Sequence, residues 1–183
     1  MNEYTFKVTS GKINITDPCY DEDTTCGAYQ VPAVNGTWCV SVAKKDGRVS
    51  GFSAHVEESY WNHESPMTVD FGVDSGQFGI FDCEIYDGKA DYDSPGFYRD
   101  CCDLTCGDDQ CGVVNDRGFV TSSGHGDGSY VGSASYADGL MKSFTMFFIE
   151  DEEDDLDNFG EEYDDGYAEL CLADDMEESG DYE

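Results

Sequence analysis

Thr37-Trp38-Cys39-Val40-Ser41-Val42-Ala43-Lys44-Lys45-Asp46-Gly47-Arg48-Val49-Ser50-Gly51-Phe52 is the stretch whose periodicity decides how this chain folds. Trp38, Val40 and Val42 alternate with Cys39 and Ser41. That is the period of a strand with one apolar and one polar face. Asp46-Gly47 follows, a dipeptide suited to a type I′ turn, whose two central residues need φ > 0. Arg48 to Val56 then resumes as a partner strand. Upstream, Asn35-Gly36 offers the same turn between Tyr29–Val34 and Thr37–Ala43. Residues 28–57 are therefore expected to form an antiparallel meander of about three strands.

The pattern continues on both sides. Tyr4, Phe6 and Val8 share one face of a first strand, and Ile13 and Ile15 one face of a second, which stops at Asp17-Pro18 because proline lacks a donor and fixes φ. Thr68–Val73 and Gln77–Ile85 read as strands around Asp74-Ser75-Gly76, and Gly112–Ser123 as another with a turn near Asn115–Gly118. Ser129–Tyr136, Asp138-Gly139 and Met141–Ile149 form a further hairpin, whose last strand is apolar enough to lie centrally in a sheet. Tyr98–Gln110 can hold one short helix. Strands that are this short and joined by hairpin turns imply a mainly β domain over residues 1–149, either an antiparallel sandwich or a partly open barrel.

Charge divides the chain. It has 41 acidic and nine basic residues, a net charge of −32. Eighteen of the acids fall in residues 150–183, which contain no Lys or Arg, so the preceding body still carries 23 acids against nine bases. The near-solid run Glu150, Asp151, Glu152, Glu153, Asp154, Asp155 repels itself, and this C-terminal segment is expected to be at least partly disordered. Such a surface repels nucleic acid and anionic membrane, since phosphate binding needs Lys and Arg. It suits basic proteins or divalent cations. No basic-then-apolar leader and no run near the ~20 residues of a membrane span is present, so a cytoplasmic location is expected. Nine cysteines are an odd count, read as mostly free thiols in a reducing compartment.

Ser122-Ser123-Gly124-His125-Gly126-Asp127-Gly128-Ser129-Tyr130 is the most distinctive local motif. It lacks the flanking strand and helix of a dinucleotide fingerprint and the Gly-Lys-Ser/Thr of a P-loop. No other cofactor motif is present. Asp17, Asp74, Asp82 and Asp127 all fall at strand ends beside turn residues. If those ends meet, with Ser75, His125 and Tyr130 beside them, the result is a polar site whose carboxylates suit Ca²⁺, Mg²⁺ or Mn²⁺ and could activate a water. The competing reading is that each Asp bonds its own turn amides. Cys101, Cys102, Cys106 and Cys111 raise zinc as a second possibility, but adjacent and x3/x4 spacings differ from the paired C-x2-C of zinc ribbons, and packed or free thiols fit equally. A Ser75–His125 nucleophile pair lacks the G-x-S-x-G elbow.

Three segments in order, Ile15-Thr16-Asp17-Pro18-Cys19-Tyr20, Val73-Asp74-Ser75-Gly76-Gln77-Phe78-Gly79-Ile80-Phe81-Asp82 and Ser122–Tyr130, resemble the domain-of-unknown-function 4241 family and its phage-encoded relatives. The resemblance spans roughly residues 10–149 and implies a bacterial or bacteriophage source, hence host cytoplasm in the second case. It implies no activity, and nothing carries over to residues 150–183. The resulting expectation is a non-enzymatic interaction protein whose negative surface engages a basic, nucleic-acid-binding partner, its carboxylates standing in for phosphates. A small-molecule or divalent-metal enzyme at the Gly-rich turns and a virion component are the alternatives. Oligomeric state is open.

Overall fold

Trp38, Val40 and Val42 are buried to 0, 1 and 4% exposure in the computed structural model, which describes residues 2–20, 29–57, 66–86 and 88–149. Their strand, β4 (Gly36–Lys45), pairs with β5 (Arg48–Val56) across Asp46-Gly47, whose φ values of 52° and 78° are those of a type I′ turn. On its other side β4 takes β1 (Asn2–Val8), with Phe6 opposite Trp38. The remaining elements are β2 (Lys12–Thr16), β3 (Tyr29–Pro32), β6 (Met67–Val73), β7 (Gln77–Asp82), α1 (Phe97–Thr105), β8 (Cys111–Val114), β9 (Gly118–Ser122), β10 (Gly128–Ala137) and β11 (Leu140–Phe147).

These strands form two antiparallel sheets, ordered β1-β4-β5-β11-β10-β6 and β3-β2-β7-β9-β8, which stack as a sandwich. Two more hairpins close on paired positive-φ residues, Asp138-Gly139 between β10 and β11 and Asn115-Asp116 between β8 and β9. The strand expected over Gly112–Ser123 is thus two strands and a tight turn. β11 is interior, flanked by β5 and β10, as its apolar run suggested. The short helix is present, one residue earlier than expected and ending at Thr105.

Asn35-Gly36 departs from expectation. It joins no hairpin: β3 pairs with β2 in the smaller sheet, so the chain crosses there from one sheet to the other. Asn35 instead accepts a hydrogen bond from the Gly11 N–H through Oδ1 (2.7 Å), and the Val34 N–H bonds the Met141 carbonyl (3.1 Å). The side chain is used to stitch two turns, which a dipeptide signal cannot distinguish from a hairpin. The expected three-strand meander is therefore a β4–β5 hairpin plus a strand of the opposite layer.

Both inner faces supply the core. Phe6, Trp38, Phe52, Phe71, Phe78, Phe119, Phe144 and Met146 are each 2% exposed or less and pack in one cluster. The outer face of the smaller sheet is covered as well: Phe81, Tyr86, Phe97, Cys101, Val114 and Val120 form a second cluster beneath α1. Strand β7, buried on both faces at all six positions, therefore reads as a continuous run rather than an alternation. Gly79 sits where a Cβ would collide with the Phe81 ring and the Phe119 backbone, so this strand needs a glycine for close approach.

Among the described residues no helix is long and apolar enough to cross a membrane. Residues 150–183, with the acidic run Glu150–Asp155 expected as a partner-binding segment, lie outside the described residues, as do residues 21–28 and 58–65.

Candidate functional site

Asp17 leaves β2 at the point where proline ends the strand, and its carboxylate is fully buried. A buried carboxylate requires donors, because its desolvation is costly. Four supply them. Oδ2 accepts from the N–H groups of Asp74 (2.9 Å) and Ser75 (2.8 Å), and Oδ1 accepts from the Cys19 N–H (2.9 Å) and the Ser75 hydroxyl (2.5 Å). The first and second motifs are thereby locked together across 57 residues of sequence.

The third motif joins them through the backbone. The Ser123 N–H bonds the Gly76 carbonyl (3.0 Å), and the buried Ser123 hydroxyl donates to the Gly126 carbonyl (2.8 Å). The Tyr130 hydroxyl lies 3.0 and 2.7 Å from the Ser123 and Gly126 carbonyls, closing the glycine loop on itself, while its ring meets Phe148 edge-on. Gly126 has φ 108°, which favours glycine; Gly128 has ordinary φ. Arg48, at the tip of the β4–β5 hairpin, donates to the Gly124 carbonyl (3.0 Å). The three motifs therefore converge at one end of the sandwich, on contacts that linear sequence does not reveal.

Convergence does not extend to every carboxylate proposed for it. Asp82 lies at the far end of β7, opposite Ile13, and is fully buried. Its Oδ2 accepts from the N–H groups of Thr9 (2.6 Å) and Ser10 (3.1 Å) and pairs with Arg117 (2.8 Å), and Oδ1 accepts from the Glu84 N–H (2.9 Å). Burial alone would raise its proton affinity, but Arg117 and the three amides outweigh that and hold the carboxyl well below the usual carboxylate range. Asp82 is a brace between two turns, not a member of the site. Asp17 is a brace as well, since the four donors engage both of its oxygens.

The exposed carboxylates remain. Asp74 and Asp127 line an open groove of about 690 Å³ with Asp70, Tyr20 and Ser129. Burial and the neighbouring Asp74 push the Tyr20 phenol up. His125 is exposed on the same glycine loop. Asp70 is the residue that sequence reading passed over. Its signal was its outward place on β6, between inward-facing Val69 and Phe71 and four residues before Asp74.

Beside the groove, Cys19 is pushed up to about 12 by burial and by Asp17, so it stays a thiol rather than a nucleophilic thiolate at neutral pH. Burial and the neighbouring Cys102 push Tyr98, on α1, up to about 12. The four cysteines weighed for zinc disperse. Cys101 packs in the cluster under α1, Cys102 meets the Gln77 amide (3.4 Å), Cys106 is exposed, and Cys111 lies in the main core beside the Tyr4 hydroxyl (3.4 Å). Among the described residues no three His, Cys, Asp or Glu side chains assemble into a metal-binding group.

Comparison of the chain with models of known protein families, with curated proteins and with solved structures finds no match.

Proposed function

We propose that this protein is a non-enzymatic interaction protein that engages a basic partner through its carboxylates, on a surface of the partner that otherwise contacts nucleic acid. The supporting observation is the division of labour among the aspartates. Asp17 and Asp82 are consumed as buried braces, while Asp70, Asp74 and Asp127 stand together on one open groove. The body that carries that groove is negative overall, with 23 acidic against nine basic residues before position 150, and an anionic surface attracts and orients cationic partners at long range.

Fluorescence anisotropy with labelled polylysine tests the reading at salt concentrations from about 0.05 M to about 0.5 M, across which screening shortens to a few ångströms. Saturable binding that weakens with salt is expected, with a several-fold loss in the combined Asp70→Asn, Asp74→Asn, Asp127→Asn variant. Absence of binding at the lowest salt, or an affinity unchanged in that variant, would overturn it.

A further inference from the structure

Four strands end the two sheets among the described residues, and three of them are shielded. The Lys7 N–H of β1 is already bonded to the Asp116 carbonyl (2.9 Å). Strand β3 has four residues and includes Pro32, which offers no donor. Strand β8 also has four residues and packs beneath α1. Strand β6 is, like β1, seven residues long, without proline and paired in unbroken register, here with β10 from Met67 to Val73, but among the described residues none of its backbone groups bonds to an element other than β10. Natural sheets blunt long regular edges, so one that no described residue blunts is a template for a further strand. In an antiparallel ladder, backbone N–H and C=O pairs alternate between the two sides of a strand, so half of those of β6 point away from β10. Residues 70–74 line the groove.

We infer that β6 is a strand-addition site for an extended, basic segment of the partner. This rests on the function proposed above and names how that groove is filled. Charge selects the occupant. Asp70 is exposed on β6, Asp74 follows directly after its last residue, and Asp127 lines the same groove, so an added strand with Lys or Arg at every second position sets an opposite charge across from Asp70 and brings another near Asp74. A second copy of this chain is a poor occupant, because β6 against β6 would bring the Asp70 and Asp74 carboxylates of the two copies together. Main-chain pairing supplies the affinity and the alternating side chains supply the choice of partner.

The probe is the heptapeptide acetyl-Lys-Thr-Lys-Val-Lys-Thr-Lys-amide, with two analogues N-methylated at either the odd or the even residues. All three carry the same charge, but each analogue has only one edge able to donate hydrogen bonds. Strand addition uses a single edge, so one analogue should bind at least tenfold more weakly than the parent and the other should match it. Asp70→Asn should weaken the parent peptide several-fold. Equal binding by all three peptides would overturn strand addition while leaving the charge-driven interaction in place. Failure of all three to bind a protein that still binds polylysine would overturn it too, and failure on both probes would remove the proposed function as well.

Discussion

At the scale of single residues, the aspartates fall into two populations that sequence alone does not separate. Asp17 accepts four hydrogen bonds with no exposure, whereas Asp127 is exposed on the glycine loop. Asp17→Asn replaces one acceptor oxygen by an NH₂ group that faces donors. It should cost about 2–4 kcal/mol, measured by urea unfolding, because hydrogen bonds to a buried charge are the strong ones. Asp127→Asn should stay within about 0.5 kcal/mol, as surface substitutions do. Near-equal costs would show that Asp17 is not the brace described. Asp82 carries the pH signature. A carboxyl depressed in the folded state adds stability above its unfolded value, near 4, and loses it as pH falls through the folded value. Thermal melts from about pH 5 downwards should therefore fall more steeply in wild type than in Asp82→Asn. Parallel slopes would mean that the Arg117 pair does not hold the charge.

At the scale of elements, the hairpin strand β4 shows how far pattern reading reaches. Its alternation placed Trp38 inward, and the structure seats it against Phe6 (6.2 Å between rings) with its indole N–H donating to the Val34 carbonyl (3.1 Å). Trp38→Ala should cost about 3–5 kcal/mol in chemical unfolding, the range for large-to-small changes in a packed core. A loss under about 1 kcal/mol would contradict the register. The Val34 carbonyl belongs to the crossing between sheets, so the same substitution strips that link of its indole donor. The two Asx-Gly dipeptides flanking β4 diverge for a related reason. Asp46-Gly47 connects strands that share a sheet, whereas Asn35 has Gly11, in the turn between β1 and β2, as its partner.

For the whole molecule, every core residue of the two clusters among the described residues lies between Phe6 and Phe148. Truncation after Ile149 should therefore leave a domain with the same strand content and a cooperative melt. At low salt its stability should equal or exceed that of the full chain, since 18 acidic residues and their mutual repulsion are removed. Circular dichroism melts of both proteins check this, and loss of cooperativity in the shorter one would show that a segment such as Tyr167–Ala173 completes the core. The end of the sandwich that carries the three motifs is joined by hydrogen bonds between distant parts of the chain. The Asp17 carboxylate ties the first two loops, the Ser123 N–H ties the third to the Gly76 carbonyl, and the Ser123 and Tyr130 hydroxyls close that third loop on itself, with Asp74 and Asp127 on one groove.

The sequence by itself determined the class of fold, most strand positions and the inward face of each amphipathic strand, because these depend on period-two alternation and turn chemistry within a few residues. It also determined the excess of negative charge, which is composition. Tertiary structure alone decided which strands share a sheet and which aspartates are braces. Tyr29–Pro32 has the same local pattern whether it lies beside β4 or β2, and Asp17, Asp74, Asp82 and Asp127 have the same turn-like neighbours. What separates them is the donors that arrive from residues 57 or more positions away for Asp17, and from Thr9, Ser10 and Arg117 for Asp82. A carboxylate's role follows from its desolvation and its partners, and both are properties of packing rather than of adjacent residues.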